Sequence, residues 1–581
     1  MLGLLRFMRP YRVLVVLVLG LTFTQTMASL YLPNLMSDIV DTGIIRGDVP
    51  YILGVGVLMF GITLLGGAAA VLASYCGARA TAGFGQDLRL GLFSHVEHFT
   101  LQEFDQLGSS SLIVRTTNDV MQVQQLVNMM LRMLVMAPLT ALGGIILAVQ
   151  TDARLSLVLV VVLPVMGLAI LLLMRQGLGL FRSMQAKVDR LNLVLRENLT
   201  GTRVIRAFGR GTYELGRFDA ANADLTDTSV RVFQLMATTM PLVMLIMNLA
   251  TVAIVWFGGV QINAGTLQLG QLMAFIQYVM QIMFAVLMVS MMLFMLPRGQ
   301  ASAVRIGEVL ALEPRIVDHA ELPAPSTSLR GQVEFSHVTF RYPGAEEPAL
   351  SDISFVAAPG QSTAIIGGTG SGKSTLLHLL LRMYDAEAGR VLVDGVDVRE
   401  MPQERLREKI GYVPQQTVLF SGTILDNIRY GNLEASAEDA LRAAEVAQAG
   451  DFLAELGGGN LQAGLDAPLV QGGANLSGGQ RQRLAIARAL VRRAEIYVLD
   501  DSFSALDYGT DARLRAALRQ HLGGATRIVV AQRVSSVRDA EQILVLDDGH
   551  LVGAGSHREL MESCPIYREI VSSQLSPEDV A

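Results

Sequence analysis

One glycine-rich segment carries the clearest chemical pattern in the sequence: residues 367–374 are Gly-Gly-Thr-Gly-Ser-Gly-Lys-Ser. An apolar run, 363–366, precedes it, and a helical pattern, 375–381, follows it. In this context backbone N–H groups converge on phosphate oxygens, and the helix N-terminus adds positive potential. We expect Lys373 to contact the β- and γ-phosphates of a nucleotide and the Ser374 hydroxyl to bind Mg²⁺. A glycine-rich turn without phosphate is the alternative, but the chain has only three lysines, so one rarely falls here by chance. The residues expected at the nucleotide in this segment are Gly367, Gly368, Thr369, Gly370, Ser371, Gly372, Lys373, Ser374 and Thr375.

Two further segments add chemistry of the same kind. The apolar run 496–499 ends in Asp500, and a strand that ends in a carboxylate opposite a P-loop orders Mg²⁺. A second glycine-rich stretch opens a helix and offers another set of amide donors for anions. Its expected nucleotide contacts are Ser477, Gly478, Gly479 and Gln480. Either one chain binds two phosphates, or two chains enclose each nucleotide between them.

The first half of the chain is apolar enough to lie in a membrane. Charged residues make up 17% of the 581 residues, whereas about 25% is usual in soluble proteins. Charged residues are absent from 13–37, 49–78, 133–151, 155–174 and 232–297. A spanning helix needs about 20 apolar residues, so the first four runs predict one span each and the last predicts two. The last run must turn at Gly258-Gly259 or at Asn263-Ala264-Gly265.

The connections between these six predicted spans are unequal. Three are short, whereas 79–132 and 175–231 each exceed 50 residues. The second long connection has ten Lys and Arg against six Asp and Glu, which places it in the cytoplasm. We expect helices to continue from the membrane into both, with tips near Glu103–Ser110 and Glu197–Thr202 that can touch a soluble domain. Six spans place both termini on the cytoplasmic side.

Charge divides the chain into two parts. Residues 1–320 carry 22 Lys and Arg against 18 Asp and Glu, a net of +4; residues 321–581 carry 24 against 34, a net of −10. The total of −6 argues against a cationic nucleic-acid binder, and two cysteines are too few for a disulfide framework. After the prolines at 314, 323 and 325, β-branched runs alternate with helical patterns. The predicted fold class is an all-α six-helix transmembrane domain followed by an α/β P-loop NTPase domain. The predicted boundaries are 1–312 for the transmembrane domain, 313–330 for a linker and 331–575 for the nucleotide-binding domain.

The two glycine-rich segments together resemble the signature pair of ATP-binding cassette (ABC) transporters, with Leu-Ser-Gly-Gly-Gln at 476–480. Six preceding spans with long cytoplasmic loops are similar to the exporter type of that family, in the multidrug, lipid and peptide exporter branch. The resemblance covers essentially the whole chain. It implies that Tyr342 stacks on adenine and that Gln415 senses Mg²⁺ and faces the membrane domain. It also implies that Ser504–Asp507 crosses a dimer interface, and that Ser374, Gln415 and Asp500 are the Mg²⁺ ligands.

Three positions depart from the family pattern. Asp501 stands where the family has the Glu that polarises the attacking water, and a carboxylate withdrawn by one methylene, about 1.5 Å, misses the ~3 Å reach of a base. Gln532 stands where the family has the switch His, and an amide carries no positive charge. Gln471 replaces a Glu that touches the membrane domain in relatives. The candidate catalytic positions, Asp501 and Gln532, therefore predict a weak hydrolytic site beside an intact signature.

This combination predicts the degenerate-site subunit of a heterodimeric exporter. Its partner, a second ABC half-transporter, would bear the catalytic Glu and the switch His. The pair would use ATP and Mg²⁺ to move a small amphipathic or lipophilic substrate across the cell inner (cytoplasmic) membrane, with the ATPase domain in the cytoplasm. Membrane lipid and a small-molecule substrate are the other expected partners, and nucleic acid is not. An importer of a small molecule such as a siderophore, or a non-transporting ATP-gated regulator, are the alternatives.

Substrate contacts are the least constrained part of the sequence. The fifth and sixth spans are rich in methionine, which suits adaptable apolar pockets as well as ordinary helix packing. Gln277 and Gln281, one helical turn apart, are the best polar candidates for a translocation path. Hydrogen bonding between helices accounts for them equally well.

Overall fold

The computed structural model describes residues 2–318 and 330–574, apart from the side chains of residues 2, 293 and 294. The chain divides into two compact units. One, the membrane unit, comprises Met1–Glu97 and Ser109–Leu312; the other, the ATPase unit, comprises His98–Gly108 and Glu313–Ala581. Residues 319–329 of the predicted linker, and residue 575 of the predicted nucleotide-binding domain, lie outside the described residues.

Long helices make up the membrane unit. Among the described residues, six are long and apolar enough to cross a membrane: Gly3–Ile44, Val49–Glu97, Ser109–Thr151, Leu157–Thr200, Gly211–Asn263 and Leu269–Ala311. The predicted all-α transmembrane domain is confirmed, and the longest charge-free run turns after Asn263. Gly265 has a φ of 74° at that turn, a conformation that glycine adopts without strain. Gly258 and Gly259 stay inside a helix.

The α-helices of the chain up to Ala311 are α1 Arg12–Asp38, α2 Val49–Glu97, α3 Leu101–Leu107, α4 Ser109–Val114, α5 Val120–Thr151, α6 Leu157–Thr200, α7 Thr202–Ala207, α8 Gly211–Asn263 and α9 Leu269–Ala311. A 3₁₀-helix, Leu2–Tyr11, precedes α1, and π-helical turns occupy Ile39–Ile44 and Arg115–Asp119. Helices α2, α6 and α8 run on well past the charge-free segments. The two long connections are therefore helical extensions, as expected.

Side-chain packing fixes how the membrane helices meet. Helix α5 packs against α9, α1 against α2, and α6 against α8. Phe275, Tyr278, Ile282 and Met283 of α9 are buried in one apolar cluster. The Gln281 amide donates a hydrogen bond to the carbonyl oxygen of Ser29 in α1 at 3.3 Å. This contact favours the interpretation of Gln281 as a residue that joins two helices.

The ATPase unit is α/β, which confirms the second half of the predicted fold class. Its strands are β1 Val333–Phe340, β2 Leu350–Ala357, β3 Ser362–Gly367, β4 Ala388–Val393, β5 Val396–Asp397, β6 Ile410–Val413, β7 Gly422–Thr423, β8 Pro468–Leu469, β9 Ile496–Asp500, β10 Thr526–Val530, β11 Gln542–Asp547 and β12 His550–Gly555. Its helices after the linker are α10 Lys373–Leu380, α11 Gln403–Glu408, α12 Ile424–Arg429, α13 Ala437–Val446, α14 Gly450–Leu456, α15 Leu461–Leu465, α16 Gly478–Leu490, α17 Tyr508–His521, α18 Val534–Val537, α19 His557–Ser563 and α20 Pro565–Gln574.

Two main sheets organise the ATPase unit. A four-stranded antiparallel sheet has the order β2-β1-β4-β5, and a six-stranded sheet has the order β12-β11-β3-β10-β9-β6. In the larger sheet β11, β3, β10, β9 and β6 are parallel. Its central strands are buried on both faces, as their unbroken apolar sequences require.

The short helix α3 belongs to the ATPase unit although it comes from the first long connection. Thr100 caps it, with Glu103 closing a capping box. Leu101 packs against the core around the antiparallel sheet, and the Tyr384 hydroxyl donates to Asp105 Oδ2 at 3.2 Å. The predicted contact of this tip with the soluble domain is therefore confirmed. The second tip, near α7, stays a prediction.

Candidate nucleotide site

The candidate site lies where the parallel strands of the six-stranded sheet end. Strands β3, β10, β9 and β6 are neighbours in that order, and their register sets Val530 beside both Ile365 and Asp500. A residue singled out from the sequence ends β3 and β9, and another lies two residues after the end of β10 and of β6. Because carboxyl ends of parallel strands share one edge, the fold brings Gly367, Asp500, Gln532 and Gln415 to that edge.

The loop from β3 to α10 needs glycine for steric reasons. A Cβ on Gly367 would lie 2.2 Å from the carbonyl oxygen of Leu546, and Gly372 caps α10 with a φ of 94°. Gly368, Thr369 and Gly370 are exposed, and a Cβ on Gly368 or Gly370 would meet nothing. The main chain of residues 368–370 is therefore exposed to solvent, between Gly367 and Gly372, which the local geometry requires to be glycine.

The Lys373 ammonium lies within the curve of this loop. It donates hydrogen bonds to the carbonyl oxygens of Gly367, at 3.0 Å, and Gly368, at 2.6 Å. Burial lowers the pKa of Lys373, although the negative charges of Asp500 and Asp501 partly oppose this. A desolvated cation held by backbone dipoles is suited to exchange those contacts for phosphate oxygens.

Asp500 and Ser374 form the candidate metal position. Asp500 is 4% exposed, and the Ser374 side chain lies close enough to its carboxylate to influence its pKa. Burial raises the pKa of Asp500, while the Ser374 side chain and the Lys373 charge lower it. The set of Ser374, Gln415 and Asp500 supplies hydroxyl, amide and carboxylate oxygens, which are the donors Mg²⁺ prefers. The residues present thus fit a Mg²⁺ ion that is also held by phosphates. In the part of the chain that the structure describes, there is no cluster of three His, Cys, Asp or Glu side chains that could bind a metal without them.

Asp501 and Gln532 contact each other. The Gln532 Nε2 donates to Asp501 Oδ2 at 3.3 Å, and the nearby Gln415 side chain helps to lower the pKa of the same carboxylate. Burial raises the pKa of Asp501, with the Ser504 hydrogen bond and the Arg533 charge opposing it. The backbone of Asp501 has a φ of 47°, which Asp adopts more readily than most residues. The carboxylate therefore contacts a neutral amide at residue 532 and feels the positive charges of Arg533 and Lys373, next to the candidate metal position.

Tyr342 lies beside the P-loop helix. Its hydroxyl is 3.0 Å from the Thr375 hydroxyl, and its ring meets the rings of Phe340 and Tyr384 edge to face, with centroids 5.0 and 5.4 Å away. The half-buried Tyr342 ring borders a cavity of about 440 Å³ that Thr100, Gln102 and Arg315 also line. An aromatic ring so fixed can offer a flat surface to a nucleotide base.

The second glycine-rich segment forms the exposed N-terminus of α16. Ser477 caps the helix by accepting from the Gln480 N–H at 3.3 Å, and Gln480 Oε1 accepts from the Ser477 N–H at 2.8 Å. Ser477 and Gly478 are exposed, and the Ala505 Cβ would lie 3.9 Å from a Cβ on Gly478. The predicted interface loop 504–507 thus packs beside the signature. Gln471, in the turn Gln471–Gly473, is exposed as well.

Sequence reasoning missed some residues that support this site. The Gln482 amide, on α16, donates to the carbonyl oxygen of Asp501 at 3.2 Å, which links the signature helix to the altered catalytic position. The Ser504 hydroxyl donates to the same carbonyl oxygen at 2.9 Å. Gln482 lies two residues after the signature, but no spacing rule predicts a contact 19 residues along the chain.

Comparisons with known proteins agree with this architecture. The family model of the ABC transporter transmembrane region matches residues 15–286, and that of the ABC transporter domain matches residues 350–504. The chain is 45% identical to an ABC transporter ATP-binding protein of Mycobacterium tuberculosis, covering 99% of this chain and 98% of the relative. It is 34% identical to the ATP-dependent lipid A-core flippase of Chromobacterium violaceum, covering 94% and 92%. The solved structure of a bacterial Atm1-family ABC exporter with ATP bound is similar over 98% of both chains, with a TM-score of 0.79 and 26% identity.

Proposed function

Because this chain belongs to the ABC transporter family and has its exporter-type architecture, with an ABC ATPase domain on a multi-pass membrane domain, we propose that it is the degenerate-site subunit of an exporter. In this proposal Lys373, Ser374 and Asp500 hold ATP and Mg²⁺ at the P-loop. Asp501 and Gln532 make hydrolysis slow there. The signature at 476–480 completes the P-loop site of a partner that bears Glu and His.

One observation carries the proposal: the hydrogen bond between Gln532 and Asp501. Both altered positions lie at the same sheet edge, next to the candidate metal ligands. The Asp501 carboxylate is one methylene shorter than that of a Glu, and its contacts from Gln532 and Gln415 are neutral amides. A bound Mg²⁺ would supply positive charge to the phosphates, while Lys373 would orient the γ-phosphate. The amides of Gln532 and Gln415 would contact the γ-phosphate but would not transfer a proton to it.

In the decisive experiment, a variant of this chain that carries Glu and His at the two altered positions takes the place of the partner. The Asp501→Glu/Gln532→His double variant and the unaltered chain are purified separately, and as a mixed dimer through two affinity tags. We expect slow ATP hydrolysis by the unaltered homodimer, fast hydrolysis by the double-variant homodimer and about half of that rate in the mixed dimer. Fast hydrolysis by the unaltered homodimer would overturn the proposal, and so would a mixed dimer as slow as the unaltered one.

We further propose that the substrate is a small amphipathic or lipophilic molecule and that the pair resides in the cytoplasmic membrane. The support is the name of a relative, an ATP-dependent lipid A-core flippase, and of a structural neighbour, an exporter. Methionines on α8 and α9 are divided between the buried cluster, which includes Met247 and Met283, and exposed positions such as Met240 and Met291. Transport of a fluorescent lipid analogue into vesicles by the mixed dimer tests this. Transport in the opposite direction would favour an importer, and no transport would favour a regulator.

A further inference from the structure

The last residue of α20 binds the main chain on both sides of Arg533. Gln574 Oε1 accepts a hydrogen bond from the Val534 N–H at 2.8 Å, and Gln574 Nε2 donates to the carbonyl oxygen of Gln532, also at 2.8 Å. A primary amide has one acceptor and two donors, so a single side chain can supply both partners. The pair of bonds resembles what a residue of a neighbouring β-strand would provide.

The segment that Gln574 binds has little other main-chain support. Strand β10 ends at Val530, and the Ala531 N–H donates to the Ile365 carbonyl at 3.2 Å. The Arg533 carbonyl accepts from the Ser536 N–H at 3.0 Å. Helix α18 begins at Val534. Between them, the Gln532 side chain reaches Asp501 and the Arg533 guanidinium donates to the Ser504 carbonyl at 3.3 Å. The direction of this short segment decides where the side chain of residue 532 points.

Helix α20 is itself anchored in the core of the ATPase unit. Tyr567 and Val571 are fully buried, and the Tyr567 hydroxyl lies 2.7 Å from His557 Nδ1. Gln574 follows Val571 by three residues, on a helix whose position is fixed by that burial. A polar contact supported by a packed helix holds its target more firmly than one from a loop.

We propose that Gln574 is a positioning residue for the switch position: its amide holds the segment 532–534 so that the side chain of residue 532 meets the residue at position 501. The inference rests on the proposed role of positions 501 and 532 in hydrolysis. It assigns to helix α20 a part in the ATPase reaction, through the main chain and without contact with the nucleotide.

Hydrogen–deuterium exchange of the full-length chain tests the contact without any assumption about hydrolysis. The probe is the Val534 amide, compared between the unaltered chain and the variants Gln574→Ala, Gln574→Glu and Ser573→Ala. We expect about 10-fold faster exchange in Gln574→Ala, because the acceptor is lost. Gln574→Glu keeps an oxygen for the Val534 N–H and should keep its protection. Ser573→Ala removes a bond within the helix, to the Ile570 carbonyl, and is the matched control.

Kinetics in the Asp501→Glu/Gln532→His background test the positioning role. Gln574→Ala is expected to lower kcat about 10-fold, because small displacements of a reacting group are costly, while KM for ATP and the melting temperature stay the same. Gln574→Glu should also lower kcat, since its carboxylate repels the carbonyl oxygen of residue 532, whereas Ser573→Ala should not.

The two measurements have separate consequences. Unchanged exchange at Val534 in Gln574→Ala overturns the inference, and so does faster exchange with unchanged kcat. If the double variant hydrolyses ATP no faster than the unaltered chain, the proposed function fails instead. The inference is then decided by Val534 exchange together with the effect of Gln574→Ala on residual hydrolysis.

Discussion

The ATPase unit contains two regions that follow the family pattern to different degrees. The P-loop and the signature keep every residue of their motifs, each at the glycine-rich N-terminus of a helix. The pair Asp501 and Gln532, at the ends of β9 and β10, departs at both positions and is joined by a hydrogen bond. Under the proposed function, this contrast predicts that ATP binding and ATP hydrolysis can be altered separately, although Asp500 and Asp501 are neighbours at the end of β9.

The largest loss of hydrolysis is expected from a variant that disrupts the intact signature. Gly478→Asp places a carboxylate on the exposed face of α16, where a phosphate of the partner's nucleotide would approach, and like charges there cost several kcal/mol. We expect about a 1,000-fold loss of hydrolysis when this variant is paired with the Asp501→Glu/Gln532→His chain, with unchanged folding. Gly524→Asp, at an exposed glycine with equally open surroundings, is the control. Equal losses from both would show that the signature has no special role.

The next largest effect, a loss of ATP affinity, is expected from a variant that removes the Lys373 side chain from the intact P-loop. Lys373→Ala deletes a half-buried cation and its charge-assisted bonds to phosphate, for which we expect about a 100-fold weaker ATP affinity. Titration calorimetry with ATP measures this, and Lys187→Ala, which breaks an ion pair with Asp224, serves as the control. If ATP binding survives Lys373→Ala, the P-loop is not the functional ATP-binding region, and its contrast with the altered pair Asp501 and Gln532 is lost.

A smaller effect should come from the altered region. Asp501→Glu alone lengthens the carboxylate but leaves the neutral Gln532 beside it, so we expect only about a 10-fold gain in homodimer hydrolysis. Steady-state phosphate release by the single and the double variant is compared, and the difference between them measures how much of the hydrolysis defect is due to residue 532. Full recovery by the single variant would assign the whole defect to Asp501.

The smallest effect concerns stability and pH. Burial raises the pKa of Asp500, so its ionisation opposes folding once the pH exceeds the pKa of the same group in the unfolded chain. Asp500→Asn should therefore raise the nucleotide-free melting temperature by a few degrees at pH 7, and this gain should vanish at low pH, where both states are protonated. The same variant should weaken Mg²⁺-dependent ATP binding. Asp547→Asn, at the end of β11 in the same sheet, should do neither, and a lower melting temperature for Asp500→Asn would contradict this account.

Local patterns predicted the fold and much of the candidate site. Charge-free length is enough to identify a spanning helix, and a strand–glycine loop–helix pattern positions Lys373 and Ser374 because all the atoms involved are close in sequence. The choice between Gly258-Gly259 and Asn263–Gly265 needed the structure, since two glycines do not break a helix that is supported by neighbours. Gln574 could not be predicted at all. It lies 42 residues from Gln532, and its role depends on how α20 packs.

The helix α3 and its flanks have a further consequence for taking the molecule apart. His98–Gly108 is synthesised as part of the membrane half but completes the core of the ATPase unit, through Leu101 and the Asp105–Tyr384 bond. A fragment that starts at Glu313 would therefore lack α3 and would expose to water the apolar surface that Leu101 covers near Tyr384. Expressed as two polypeptides divided at that point, the halves should behave as complementing fragments, with the ATPase fragment fully ordered only when the membrane fragment supplies α3.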